Sequence, residues 1–186
     1  MEALAVACTR RDLAADVVAV IADRDCLGLK AASRRGIPVF TLEPAHYSSR
    51  EEWNEALKEC VGGFRPHVVV LAGFMRVLAP SFVDAYAGRL INLHPSLLPA
   101  FPGAHAVQDA LNAGVKVTGT TIHFVDHEVD HGPILLQEAV RVQAGDTEQS
   151  LHTRIKNVEH RLLPKACRLI LERRVKVHGA ITHVEP

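Results

Sequence analysis

Apolar runs of strand length alternate along this chain with amphipathic stretches of helical length. Asp16–Ala22 (DVVAVIA) is compact and rich in β-branched residues, which predicts a strand. Leu27–Arg35 reads as a helix closed by Gly36, the residue that most easily takes the left-handed closing conformation. Pro38–Leu42 is the next expected strand. Ser48 and Ser49 have the chemistry of helix caps, and Glu51 and Glu52 follow where the helix dipole favours acids. That helix is expected to run to about Cys60 and to end at Gly62-Gly63. Val68–Leu71 is continuous and apolar, as in a parallel strand covered on both faces. A helical piece near Ser81–Ala85 precedes a strand at Leu90–His94, a Pro-rich loop, and a helix at about Ala104–Ala113. Thr118–Val125 and Ile134–Val142 alternate in strand fashion. Glu148–Leu171 reads as one long helix, and Val175–His183 supplies short terminal strands.

Strand–helix–strand–helix order with short links predicts an α/β fold with a doubly wound, mostly parallel sheet; the last third reads as antiparallel. No linker or repeat interrupts the chain, so residues 1–186 are expected to form a single domain. The start is irregular. Glu2–Arg10 is helical in pattern and no strand comes before it, whereas wound domains usually begin strand–loop–helix with the loop facing a ligand. Either this kind of chain starts with a helix, or a first strand and its loop are missing from it.

Composition narrows the class. With 48% apolar and 23% charged residues in a chain of 186, the sequence is that of a globular domain. Lys plus Arg (21) balances Asp plus Glu (21), so no broad electrostatic footprint for nucleic acid exists. The longest apolar stretch, about Val68–Met75, falls well short of the roughly 20 residues a membrane helix needs. Met1-Glu2-Ala3-Leu4 has an acid and no basic start, which argues against a signal peptide and for a cytoplasmic protein. Cys8, Cys26, Cys60 and Cys167 form no C-x-x-C pair and are expected to be buried free thiols.

Candidate chemistry concentrates in two segments. On a strand, side chains at i and i+2 point the same way, so Asn92 and His94 share one face. Pro95 ends that strand and puts His94 at its C-terminal end, where ligands bind in open α/β sheets. An amide and an imidazole there suit a carbonyl reaction: Asn donates to a developing oxyanion, and His carries a proton or stabilises the same charge. Two solvated polar residues at a strand end fit the spacing equally well. In the second segment, His123, His127 and His131 are spaced at four, which on a helix would make a metal-binding stripe. The β pattern before it and Gly132-Pro133 after it argue against a helix, so no metal is expected. A carboxylate of this loop meeting His94 is the better reading, since an anionic neighbour makes a histidine a better acid near neutrality.

Asn92-Leu93-His94-Pro95-Ser96-Leu97-Leu98-Pro99-Ala100-Phe101-Pro102-Gly103, with His123-Phe124-Val125 and Asp130-His131-Gly132-Pro133, closely resembles the phosphoribosylglycinamide formyltransferase family, folate-dependent enzymes of purine synthesis. Leu71–Leu78 and Ser49-Arg50 also match its pattern, and the resemblance covers essentially the whole chain. It implies a Rossmann-like formyltransferase fold and formyl transfer from 10-formyltetrahydrofolate, as co-substrate, to the amine of glycinamide ribonucleotide. By the same resemblance Asn92, His94 and Asp130 are the catalytic trio. Arg50 corresponds to the residue near the glutamate or benzoyl end of the folate. Met75, Arg76, Val77 and Leu78, with Asp126, His127, Glu128, Val129 and Asp130, correspond to the segments cradling the pterin, alongside Asn92. Met75 and Leu78 taken alone read equally as core. Glu159 corresponds to the acid facing the substrate amine, and Lys156, three residues earlier on the same helix face, is in a position to reach a phosphate. A solvated helix face is the alternative for both. His105 and His123 are left as supporting groups. The implied partners are small molecules only, with no nucleic acid and no membrane, for a monomer or a homodimer.

The resemblance also implies a first strand and a Gly-rich turn holding the ribonucleotide phosphate; neither has a counterpart here, and Gly62-Gly63 ends a different helix. Two other readings stay open: a formyltetrahydrofolate hydrolase, and a non-catalytic folate-binding or shortened relative. The His94–Gly103 loop looks more like the transferase, and no regulatory domain is expected ahead of it.

Overall fold

The computed structural model describes residues 1–185, which group into two compact units. The first comprises Met1–His67 and Arg76–Ala85; the second comprises Val68–Met75 and the chain from Tyr86 onward.

In the first unit, helix α1 (Glu2–Thr9) leads to strand β1 (Val20–Ala22), helix α2 (Leu27–Ser33), strand β2 (Val39–Thr41), helix α3 (Arg50–Gly63) and helix α4 (Pro80–Ala85). The β1 strand is shorter than its β-branched run: only Val20–Ala22 of Asp16–Ala22 pairs, in parallel, with Val39–Thr41. Local chemistry starts α3 where the serines stand. Ser49 Oγ accepts the Glu52 N–H at 3.1 Å, and Glu52 reaches back to the Ser48 N–H at 2.8 Å, satisfying two otherwise unpaired donors. Trp53, one turn into α3, is buried and donates its indole N–H to Leu42 O at 2.9 Å, which fixes the helix against the end of β2.

The second unit holds strand β3 (Val69–Leu71), strand β4 (Leu90–His94), helix α5 (Ala106–Asn112), strands β5 (Val117–Phe124) and β6 (Ile134–Arg141), helix α6 (Glu148–Leu171), and strands β7 (Val175–His178) and β8 (Ile181–Val184). Its sheet runs β3-β4-β5-β6, with β3 and β4 parallel and the remaining pairs antiparallel. The expected division of an α/β fold into a parallel first part and an antiparallel C-terminal part is therefore present. Helix α6 begins at a capping box made by Thr147 and Ser150, and its apolar stripe buries Leu151 and Ile155 against Val107 and Val140. Strands β5 and β6 approach closely at Gly119, where a Cβ would lie 2.3 Å from Glu138 O. The β7–β8 hairpin is tied back by Thr182 Oγ, which donates to Ile134 O.

All four cysteines are free, but only Cys167 is buried. Cys8, Cys26 and Cys60 are half-buried, a correction to the expectation of four buried thiols; each lies on or beside a helix that turns a partly open face to solvent. Among the described residues no helix is long and apolar enough to cross a membrane.

Candidate active site

Strand β4 does not alternate in burial, since Leu90 and Ile91 are both buried and Asn92 and Leu93 both half-buried, but its last residues carry the polar groups. Ile91 is fully buried, Asn92 is half-buried, and His94 is 4% exposed. The loop after β4 turns back on itself: Ser96 Oγ donates to Ala100 O, Phe101 adopts a left-handed φ of 54°, and Gly103 has a φ of 93° that favours glycine. This turn brings the Phe101 carbonyl to 2.8 Å from His94 Nε2. A carbonyl only accepts, so Nε2 carries the hydrogen. Nδ1 of the same ring lies 3.4 Å from Asp130 Oδ2. A proton added at Nδ1 is thus shared with a carboxylate, and the ring has an acceptor at each end.

Asp130 comes from the loop between β5 and β6. Its φ of 55° is a left-handed conformation that Asp tolerates better than most residues. The side chain is 9% exposed, and Oδ2 also accepts the Gly103 N–H at 2.8 Å, so the two loops hold each other. The neck of the Asp130 loop closes where Phe124 N–H donates to Pro133 O at 2.9 Å.

Asn92 and His123 are direct partners across the antiparallel β4–β5 pair. Asn92 Nδ2 is 3.2 Å from His123 Nε2, while His123 Nδ1 is 2.9 Å from Phe124 O. Burial of His123, at 2% exposure, pushes its pKa below the ordinary value, against the opposing pull of the Phe124 carbonyl and Asp130. The three histidines spaced at four form no stripe. His123 sits on β5, His127 is exposed, and His131 lies in the loop with Nδ1 3.0 Å from Asp126 Oδ2. That carboxylate, with Glu128 nearby, raises the His131 pKa.

Glu159 also reaches this region. Thr120, fully buried on β5, places its hydroxyl 3.3 Å from Glu159 Oε1 and 3.2 Å from His94 O. Lys156 is exposed on the same helix. The second unit thus gathers Asn92, His94, Asp130 and Glu159, and it also carries Met75 and the Asp126–Val129 loop. Met75 is 70% exposed, which removes the core reading for that residue.

Arg50, Arg76, Val77 and Leu78 belong to the first unit. Arg50 Nη2 donates to Val77 O at 2.9 Å. Arg76 pairs with Asp23 and lies 5.7 Å from the Trp53 ring centroid. Val77 is 53% exposed but Leu78 is buried, so the core reading holds for Leu78 alone of this group. Reading the sequence by residue type does not find the Phe101 carbonyl, the Gly103 amide or the Thr120 hydroxyl. Two of these are backbone groups that carry no residue-type signal, and the third depends on strand register.

Residues 1–167 match the family described as formyl transferase. A phosphoribosylglycinamide formyltransferase of Mycobacterium tuberculosis is 48% identical over 90% of this chain and 78% of its own length. The crystal structure of glycinamide ribonucleotide transformylase 1 from Symbiobacterium toebii superposes with a TM-score of 0.97 at 42% identity, covering 100% of this chain and 88% of that one. A formyltetrahydrofolate deformylase of Pseudomonas syringae pv. tomato has a TM-score of 0.91 at 33% identity, covering 100% of this chain and 61% of that one.

Proposed function

The chain belongs to the formyl transferase family, and on that premise we propose that it moves a formyl group from 10-formyltetrahydrofolate to the amine of 5′-phosphoribosylglycinamide in de novo purine synthesis. The observation that carries this reading is the convergence of Asn92, His94 and Asp130 in the second unit: an amide donor, and an imidazole backed by a carboxylate at 3.4 Å. When an amine adds to a formyl carbon, negative charge grows on the formyl oxygen. Asn92 Nδ2 and a protonated His94 are the donors for that charge. Asp130 holds His94 in place and takes part in moving the proton the amine loses to N10 of the folate, as the bond from N10 to the formyl carbon breaks and tetrahydrofolate leaves. Help of this acid–base kind is typically worth about 10²–10⁴-fold.

The folate is assigned to Arg50, Met75, Arg76, Val77 and Leu78, and to Asp126, His127, Glu128, Val129 and Asp130 with Asn92. The Arg50–Val77 hydrogen bond favours a joint role for those two. Glu159 is assigned to the substrate amine because its carboxylate lies 3.3 Å from the Thr120 hydroxyl, which is also 3.2 Å from His94 O and donates its one hydrogen to either; Lys156 is assigned to the phosphate. We read the reaction as metal-free, since side chains supply both the donors and the base. The family match runs continuously through both units, which supports reading residues 1–186 as one formyltransferase domain. Four free thiols fit a reducing cytoplasm, and the assigned partners are small molecules, for a monomer or a homodimer.

The test is the rate of folate deformylation with and without glycinamide ribonucleotide. Turnover that requires the ribonucleotide establishes the transferase. Turnover without it makes this chain a formyltetrahydrofolate hydrolase, the activity named for the Pseudomonas neighbour. Binding of a folate analogue with no turnover under either condition leaves a non-catalytic relative.

A further inference from the structure

We propose that His123 is the positioning residue of this site: its bare Nε2 selects which end of the Asn92 amide faces the reacting carbonyl. An asparagine amide has two similar ends of opposite character, a donor NH₂ and an acceptor oxygen, and a flip exchanges them at almost no steric cost. For an oxyanion the difference is attraction against repulsion. Something must fix the choice, and the half-buried Asn92 faces His123 across the β4–β5 pair.

The tautomer follows from the surroundings. Phe124 O, 2.9 Å from His123 Nδ1, only accepts, so Nδ1 carries the hydrogen and Nε2 presents a lone pair. At 3.2 Å from that lone pair the amide must turn its NH₂ inward. One N–H is then spent on His123 and the second is left for the formyl oxygen. The single carboxylate is divided accordingly. Asp130 Oδ2 serves His94 Nδ1 at 3.4 Å, and Oδ1 stands 3.7 Å from His123 Nε2. One carboxylate therefore stands behind His94, where the proposed reaction puts a proton, and a neutral His123 serves Asn92. A second positive charge would bring two imidazolium rings against one anion. His123 is also fully enclosed, where a neutral ring is the less costly form.

This role rests on the formyl-transfer reading of the same site, and two measurements separate the failures. The first is nitrogen-15 spectroscopy of the histidine rings in the intact, ligand-free chain. The expected result is a protonated Nδ1 and a bare Nε2 for His123, with the Nε2 signal moved by Asn92→Ala. A proton resident on Nε2 overturns the proposal whatever the enzyme catalyses. The second is kinetic. His123→Leu removes the acceptor and is expected to lower kcat about 100-fold, the size of losing one oxyanion donor, with KM for both substrates little changed. His123→Gln, whose side-chain oxygen reaches the place of Nε2, is expected to recover much of that loss. In an Asn92→Ala background, His123→Leu is expected to cost almost nothing more, because its effect passes through the amide. Equal losses with and without Asn92 would mark His123 as merely structural and sink the assignment. Should the intact chain transfer no formyl group while the ring signals behave as expected, the positioning stands and the reaction reading falls.

Discussion

Asp130 Oδ2 accepts the Gly103 N–H at 2.8 Å, and this contact ties the loop after β4 to the loop between β5 and β6. The same oxygen faces His94 Nδ1 at 3.4 Å, so the bond that locks the loops also aims the carboxylate at the imidazole. Asp130 is thus a latch between the loops and, in the proposed reaction, the carboxylate behind His94.

His94→Ala is expected to leave folate-analogue binding within a few-fold of the native chain and to lower turnover by about 10²–10⁴. Asp130→Asn is the sharper variant. Asn tolerates the left-handed backbone at this position and still accepts the Gly103 N–H, so the loop is kept while the charge is lost. Loss of turnover comparable to His94→Ala, with an unchanged melting temperature, is the expected result. Native-like turnover in either variant would remove these residues from the reaction.

Gly132 closes the Asp130 loop under a hard contact: a Cβ there would lie 1.9 Å from Phe124 O, which is backbone and has nowhere to go. Gly132→Ala is expected to destabilise the chain by about 3 kcal/mol or more, the upper range for overpacking, and to displace Asp130. Denaturant unfolding together with turnover tests this. Full activity in a stable Ala variant would show the loop to be looser than its contacts imply.

Thr118 on β5 offers the opposite case. Its hydroxyl is buried and, among the described residues, has no hydrogen-bond partner. Thr118→Val keeps the shape and removes the unpaired group, so a gain of about 1 kcal/mol in unfolding free energy is expected, with turnover unchanged. A loss of stability would reveal a partner for the hydroxyl.

His123 makes stability depend on pH. Burial holds its folded pKa below the ordinary value of about 6.5, so between those two values the unfolded chain binds more protons than the folded one. Its contribution is complete above about pH 6.5 and declines as pH falls towards the folded value, below which it changes no further. His152, lowered first by burial and then by Lys156, adds to the slope in the same direction. His131, whose pKa Asp126 raises, pulls the other way, so the readout is the difference between two chains: from about pH 7.5 to 5.5 the urea midpoint of the native chain should fall relative to that of His123→Gln. Parallel midpoints in the two chains would contradict the buried neutral ring.

Much of this protein is legible in its residues. Element order, the Ser48–Glu52 helix start, the span of α6 and the two loop motifs follow from periodicity, capping chemistry and turn residues, all of which act over a few positions. The i, i+2 rule puts Asn92 and His94 on one face of β4, and Pro95 ends the strand beside them. Other features needed the chain folded. Met75 and Leu78 have similar apolar side chains, yet one is exposed and the other buried, because burial is decided by what packs above a residue. The pairing of Asn92 with His123 depends on antiparallel register, which a shift of one residue would abolish by turning every side chain to the other face. The hydrogen on His94 Nε2 is set by the Phe101 carbonyl, a backbone group that every residue type carries and only a particular turn delivers. Short-range order was therefore determined by the sequence itself. The charge states and orientations that make the site work were decided by contacts between segments far apart along it.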